Sequence, residues 1–203
     1  FDPALLFSAN AQPYVWRAAY SRELIERMSL RFAENVRFAE DVVFQLESYP
    51  LSVRTVLAPE RLYHYVMQEK SLTHVFNAGA KRMDKVDAHL LVLHEVLERW
   101  DRRGLLDLCP GELVTWFLDL VVFDLARLDA GDYAAVAARV KDELEGHLAQ
   151  DWPGLPAKAT VRRVSDKIAD GSRVSMFDAA RMYLATRGLM SCLEKVISLS
   201  HWR

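Results

Sequence analysis

The sequence predicts an α+β protein that is mainly helical, with two or three short strands in its first third and a helical bundle after them. Residues 1 to about 75 alternate short β-branched or aromatic runs with turn residues, which is typical of strands between loops. From Ala80 onward, apolar residues recur at spacings of three and four, the period of one helix face. The composition is globular, with 51% hydrophobic and 27% charged residues.

Two segments in the first third have the composition of short strands. Val53–Ala58 (VRTVLA) is rich in β-branched residues, and Pro59 ends it because proline cannot donate to a strand ladder. Leu62–Met67 (LYHYVM) is aromatic and apolar, and it is the second predicted strand. These segments predict the α/β part of the chain.

Helix signals surround these strands. Ser21–Met28 is a predicted helix with Ser21 as its N-cap, and Asp41–Tyr49 is another that ends at Pro50. A long helix is predicted after Ala80, and Gly104 stands where its C-cap belongs. Its apolar face is formed by Met83, Val86, Leu90, Leu93, Leu97 and Trp100.

Further helices complete the predicted bundle. A second helix covers about Gly111–Leu128 and a third about Asp132–Leu148. The segment Trp152–Pro156 (WPGLP) is a break. One or two more helices follow it, the last over about Met176–Leu199. The short loops favour antiparallel neighbours.

The bulk properties exclude several classes of protein. A formal charge of -2 gives no whole-chain attraction to nucleic acid. Cys109 and Cys192 fit neither a disulfide scaffold nor a zinc site, which predicts buried thiols in a reducing compartment. The apolar run Leu113–Ala126 is interrupted by two aspartates and is shorter than the ~20 residues of a membrane span. Its aromatic residues are therefore predicted to pack in a core, with an apolar surface as the alternative; they are Trp116, Phe117 and Phe123.

The adjacent acids Glu40 and Asp41 form the first candidate site, because they stand at a predicted helix start before the apolar run Val42–Phe44. Backbone amides and the helix dipole stabilise a carboxylate there by ~0.3–1 kcal/mol, so helix capping explains one acid. The same environment keeps an aspartate ionised, as a general base for a hydroxyl must be at neutral pH. The segment alone favours capping and leaves the catalytic base open.

Two further segments carry candidate residues. His64 lies between two tyrosines, and Lys70 and Ser71 follow in a polar loop that suits either phosphate contacts or a solvated turn. The segment PYVWRAAYSREL places Tyr14 and Trp16 before a helix. Such aromatic residues either stack on sugar faces or anchor a loop to the core.

Other catalytic motifs are absent from the sequence. His94-Glu95 begins like a zinc-protease motif, but Glu98 stands where the second histidine belongs. The sequence contains no serine nucleophile elbow, Walker loop, G-x-G-x-x-G or Asp-x-Asp.

Three segments in this order resemble the C-terminal half of the catalytic domain of family 2 glycosyltransferases, the inverting GT-A-type enzymes of bacterial capsule and other surface polysaccharides. The family's Tyr-Val-Trp segment is similar to YVWRAAYSRELI, Tyr14–Ile25. Its Arg-Phe to Glu-Asp stretch is similar to RFAENVRFAED, Arg31–Asp41. Its Tyr-His-Tyr segment with a serine-bearing loop is similar to PERLYHYVMQEKSLTH, Pro59–His74. The resemblance covers about the first 75 residues, and a helical extension commonly follows.

The resemblance implies a reaction. Asp41 matches the base that takes a proton from the acceptor hydroxyl, with Glu40 as its neighbour, and that oxygen attacks the anomeric carbon of a nucleotide sugar. A divalent metal, Mg²⁺ or Mn²⁺, neutralises the leaving diphosphate in the family. The complete enzyme is therefore expected to need such a metal, with none bound by this chain alone.

The resemblance also implies binding residues. His64 matches a position near the diphosphate and is the candidate metal ligand. Lys70 and Ser71 match the lid over the donor, while Tyr14 and Trp16 match the acceptor side.

The expected organisation follows from the same resemblance. Residues 1–78 are the acceptor and catalytic-base part of a GT-A-like domain, and residues 79–203 are a helical region. The nucleotide-binding half is expected before Phe1, so the chain is expected to be a portion of a longer enzyme. The expected partners are a nucleotide sugar and a saccharide acceptor but no nucleic acid, with a membrane surface or a second copy at the helical region. The expected location is cytoplasmic, at the inner face of the plasma membrane.

A rival hypothesis is a non-catalytic helical interaction module or an inactive glycosyltransferase remnant. Val66 and Gln68 stand where many family members carry arginines that pair with the diphosphate, and Lys70 is the nearest cation.

Overall fold

A computed structural model describes residues 1–8, 14–60, 62–64, 66 and 82–193. Its helices are α1 Ala4–Phe7, α2 Arg22–Arg27, α3 Glu40–Ser48, α4 Arg82–Arg103, α5 Pro110–Arg127, α6 Ala130–Leu148, α7 Ala159–Ala169 and α8 Met176–Arg187. Short 3₁₀ turns occupy Val15–Arg17, Leu106–Leu108 and Trp152–Gly154. The chain forms two compact units, Phe1–Leu105 and Leu106–Arg203.

The predicted α+β class is wrong, because the described residues are all-α and contain no strand. Val53–Ala58 is irregular and exposed, with Val53 89% accessible to solvent. The described part of Leu62–Met67 is not a strand either, and Tyr65 and Met67 lie outside the described residues. A β-branched composition favours a strand only where another strand pairs with it and a surface covers one face. Among the described residues, no strand pairs with Val53–Ala58 and no surface covers it, so the predicted GT-A-like strand does not form there.

Unit 1 is built around the packing of α3 on α4. The indole of Trp100 is fully buried, and its Nε1–H donates to the carbonyl oxygen of Leu46 at 2.9 Å. The predicted apolar face of α4 contributes Val86, Leu90, Leu93, Leu97 and Trp100 to this core, all of them buried, whereas Met83 is half-buried. The predicted C-cap Gly104 is confirmed: its φ is +65°, and the next N–H, of Leu105, donates to the carbonyl oxygen of Trp100 at 2.8 Å.

A buried ion network joins α3 and α4. Glu47 of α3 is 5% exposed and accepts hydrogen bonds from Arg99 and Arg103 of α4. The same guanidinium groups also donate to carbonyl oxygens of the loop between α2 and α3. Arg99 donates to Arg31 at 2.9 Å, and Arg103 donates to Met28 at 2.6 Å. The network therefore fixes the loop that leads into α3.

Unit 2 is a bundle in which α6 and α8 both pack on α5, and α7 packs on α6 and α8. Its core contains the aromatic residues of α5, so the predicted core position of Trp116, Phe117 and Phe123 is confirmed. Asp119 of α5 is also buried, and it accepts hydrogen bonds from Thr186 at 2.7 Å and Arg187 at 2.9 Å. This buried carboxylate joins α5 to α8.

Several other predictions are confirmed by the described residues. Ser21 caps α2, with its hydroxyl accepting from the N–H of Leu24 at 3.1 Å. Cys109 and Cys192 are free and buried. The boundary between the compact units lies beyond the predicted division at residue 78, which stays a prediction. Among the described helices, none combines the length and the apolar character needed to cross a membrane.

Candidate active site

The segment around Trp16 folds into a turn that carries an aromatic stack. The N–H of Arg17 donates to the carbonyl oxygen of Tyr14 at 3.0 Å and closes the 3₁₀ turn Val15–Arg17. The ring centroids of Tyr14 and Trp16 lie 5.2 Å apart at 8°, and those of Trp16 and Tyr63 lie 4.7 Å apart at 24°. Tyr14 is 41% exposed and Tyr63 55%. The aromatic stack of Tyr14, Trp16 and Tyr63 therefore keeps tyrosine surface open to a ligand.

The acid pair opens α3. Ala39 is the N-cap residue, with a left-handed φ of +63° and no side-chain cap. Glu40 is the first helical residue and is exposed, whereas Asp41 is the second and is half-buried. Asp41 Oδ1 accepts from the N–H of Val42 at 2.9 Å, which satisfies one amide of the first turn. Neither acid occupies the N-cap position.

The surroundings of Asp41 favour its protonated form. Burial raises the pKa of the Asp41 carboxyl above its usual range, and the negative charge of Glu40 raises it further. The backbone amides of Val42, which donates to Oδ1 at 2.9 Å, and of Val15 lower this pKa in part. The turn Val15–Arg17 packs on α3, so the aromatic stack lies near the helix that carries Asp41.

Tyr20 lies along the same face of α3. Its hydroxyl donates to Oε1 of Gln45, which is one turn after Asp41, and its ring meets Phe44 edge-on at 5.2 Å. Burial raises the pKa of Tyr20, a hydrogen bond with Ser48 opposes this, and the charge of Asp41 raises it again. Tyr20 thus links the aromatic segment to the helix that carries Asp41.

Some of the predicted site residues come together and others do not. Tyr14, Trp16, Glu40 and Asp41 belong to one neighbourhood in unit 1. His64 is exposed, and no hydrogen bond or ion pair joins it to another described residue. Two further predicted residues, Lys70 and Ser71, lie outside the described residues.

Three members of this neighbourhood are not among the predicted site residues. Tyr63 belongs to the second predicted strand, although its place beside His64 in the Tyr-His-Tyr motif is a signal. Tyr20 is the third aromatic residue of the segment PYVWRAAYSREL, and Gln45 lies in the predicted helix Asp41–Tyr49. The spacing of four between Asp41 and Gln45 on a predicted helix was the available signal for Gln45.

A metal site is not formed by the described residues alone. Within the ranges that the structure covers, no three His, Cys, Asp or Glu side chains group closely enough to hold a metal ion. No such cluster of described residues includes His64. The described residues therefore do not fit the expected Mg²⁺ or Mn²⁺, and no chemical step is assigned to a metal.

The fold and the site define a helical protein whose first unit places a half-buried carboxylate and an exposed aromatic stack in one neighbourhood, an arrangement suited to base chemistry on a hydroxyl-bearing ligand. The chain is 36% identical over 101 residues to the uncharacterized glycosyltransferase EpsJ of Bacillus subtilis (strain 168), covering 49% of this chain and 28% of EpsJ. It is 23% identical over 176 residues to the succinoglycan biosynthesis protein ExoO of Rhizobium meliloti (strain 1021), covering 87% of this chain and 49% of ExoO.

The matched region thus spans about half the length of ExoO and about a quarter of EpsJ. These similarities support the resemblance to glycosyltransferases of polysaccharide biosynthesis, while the assignment to family 2 stays a prediction. No protein-family model and no solved structure matches the chain.

Proposed function

We propose that this chain is the part of an inverting, family 2-type glycosyltransferase that carries the catalytic base and the acceptor contacts in surface polysaccharide synthesis. The observation that carries the proposal is the half-buried carboxylate of Asp41 on α3, the helix on which the turn bearing Tyr14 and Trp16 packs. Further support comes from the similarity to EpsJ and ExoO.

In the proposed reaction, Asp41 accepts the proton of a saccharide hydroxyl. The freed oxygen forms a bond to the anomeric carbon of a nucleotide sugar, and the bond from that carbon to the diphosphate breaks. The electron pair leaves with the nucleoside diphosphate. The raised pKa of Asp41 makes its ionised form a stronger base than an exposed aspartate, because proton-transfer efficiency follows basicity.

The acceptor contacts are assigned to the aromatic stack. The exposed rings of Tyr14 and Tyr63 offer flat apolar surface to a sugar ring, and Trp16 supports both. On the donor side, His64, Lys70 and Ser71 stay predicted contacts of the diphosphate. A divalent metal would be held in the complete enzyme by residues beyond those described.

The experiment that tests the proposal is a transfer assay on the complete protein. Nucleotide sugars and saccharide acceptors are combined in a panel, and extended saccharide is detected by mass spectrometry together with released nucleoside diphosphate. A product from at least one pair supports the proposal. The rival non-catalytic module, favoured by the exposed Val66 in place of an arginine, predicts no product from any pair while the protein stays folded.

Tyr14→Leu is expected to raise the KM for the acceptor about fivefold and to leave the KM for the donor unchanged, because an aromatic contact contributes about 1 kcal/mol. Phe1→Leu is the matched control. Phe1 is a similarly exposed ring that contacts Tyr49 at the other end of α3. If Tyr14→Leu and wild type have equal KM values for the acceptor, the aromatic stack does not contact the acceptor.

Glu40→Gln is expected to shift the acidic limb of the pH profile of kcat/KM to lower pH. The charge of Glu40 raises the pKa of Asp41, so its removal lowers that pKa and keeps the base ionised in more acidic solution. The measurement is kcat/KM between pH 4.5 and 8 for both proteins, a range set by the usual carboxyl pKa of about 4 and its upward shift. If the acidic limb lies at the same pH in Glu40→Gln and wild type, Asp41 is not the base whose titration produces it.

A further inference from the structure

The outward face of α8 is apolar and exposed. Phe177 is 72% exposed, and Leu184 lies seven residues later on the same side of the helix. After the turn at Gly188 the apolar surface continues. The exposed apolar residues of this α8 face are Met176, Phe177, Leu184, Leu189, Met190 and Leu193.

The opposite side of α8 packs in the core of unit 2. Ala179 and Met182 are fully buried, and Tyr183 packs edge-on against Phe123 at 5.4 Å. A surface helix normally presents polar residues to solvent. A contiguous exposed apolar face marks a docking surface instead.

The charges on the α8 face have one sign. Arg181 lies between Phe177 and Leu184, is exposed, and forms no hydrogen bond or ion pair with another described residue. Lys158 donates from Nζ to the carbonyl oxygen of Ala185 at 2.6 Å, which places a second exposed cation at this face.

Among the described residues, the α8 face contains no exposed acid. Asp178 is the single acid between residues 176 and 193, and it is buried. Its carboxylate is neutralised by Lys167 at 2.6 Å and by Arg163 at 3.2 Å. The exposed face therefore combines apolar side chains with the positive charges of Arg181 and Lys158.

We propose that the α8 face docks on an anionic lipid surface. The apolar side chains would enter the boundary between headgroups and acyl chains, and Arg181 and Lys158 would meet lipid phosphates. A symmetric pairing of two α8 faces would instead bury Arg181 without a carboxylate, which is unfavourable for a charged group. The proposal is independent of the proposed sugar transfer.

The test is co-sedimentation of the full chain with vesicles that contain phosphatidylglycerol and phosphatidylcholine, compared with phosphatidylcholine alone. Wild-type protein is expected to bind the anionic vesicles and to be released by salt. Arg181→Glu should weaken binding at least about fivefold, and Phe177→Ser about tenfold. Both substituted side chains are exposed, and circular dichroism would check that the variants remain folded.

Matched controls are available in unit 1. Val56→Ser and Arg54→Glu change exposed residues of the same chemical types, and both should bind as wild type does. Absence of vesicle binding, equal binding to both vesicle types, or equal losses in the controls would overturn the proposal. So would self-association of the wild-type chain in sedimentation velocity that Phe177→Ser abolishes, because the face would then bind a second copy.

Discussion

Asp41→Asn is expected to reduce sugar transfer by about a hundredfold to ten-thousandfold, the contribution of a positioned general base. The amide keeps the size of the side chain and still accepts the hydrogen bond from the Val42 backbone, but it cannot take the hydroxyl proton. The measurement is the single-turnover rate at saturating donor and acceptor. Donor affinity is expected to stay near that of the wild type.

The stability of Asp41→Asn separates the catalytic interpretation from helix capping. The folded pKa of Asp41 is raised, so its stabilising contribution is complete below the unfolded pKa and is lost as pH rises through the folded pKa. At neutral pH the ionised carboxylate is therefore unfavourable in the folded protein. Asp41→Asn should unfold at an equal or higher urea concentration at pH 7, and its advantage should disappear at low pH.

Capping predicts the opposite result, since removing a capping carboxylate typically costs about 1 kcal/mol. Glu40→Gln is the functional control, because Glu40 is exposed and should retain most of the activity. Near-normal turnover of Asp41→Asn at neutral pH would rule out Asp41 as the base.

Glu47→Ala is expected to lower the free energy of unfolding by about 3–5 kcal/mol, the cost of breaking a buried ion pair from one side. The substitution removes the buried carboxylate that Arg99 and Arg103 share, and Arg99, whose side chain is 11% exposed, keeps its pair with Glu95 at 3.3 Å. It also weakens the hydrogen bonds from Arg99 and Arg103 of α4 to the loop that leads into α3, because Glu47 orients both guanidinium groups. Urea denaturation followed by circular dichroism measures the change.

Glu26→Ala is the matched control for Glu47→Ala. Glu26 pairs with Arg22 on the surface of α2, where the two side chains are 57% and 88% exposed. Exposed pairs four residues apart contribute only about 0.3–0.5 kcal/mol. If the two variants lose similar free energy of unfolding, the buried ion network stabilises unit 1 no more than an exposed ion pair does.

The helices could be predicted in detail because their signals are local. Apolar residues at spacings of three and four located α4, Ser21 located the start of α2, and Gly104 located the end of α4. Local signals could not show that the predicted strands would fail to form. Val53–Ala58 has strand composition, but a strand forms only with a partner, and the described residues provide none.

The candidate site was predicted in part. The motifs singled out Tyr14, Trp16 and the acid pair, whereas the contact of Tyr63 with Trp16 joins residues far apart in the chain. The different burial of Glu40 and Asp41 also depends on tertiary structure. Successive helical residues point about 100° apart, so only the packing of α3 decides which acid is half-buried.

In this protein, residue patterns located most helices and several of their caps, since caps and apolar periods act within a few residues. The prediction of one continuous last helix to about Leu199 is wrong, because α8 ends at Arg187 before Gly188. The sequence also supplied the motif resemblance that identified Asp41 as the candidate base.

The packing of the helices determines that Glu47 is the buried partner of Arg99 and Arg103, that Asp41 rather than Glu40 is half-buried, and that the α8 face is exposed. Burial and long-range contacts depend on how helices pack against one another, which no local pattern of residues specifies.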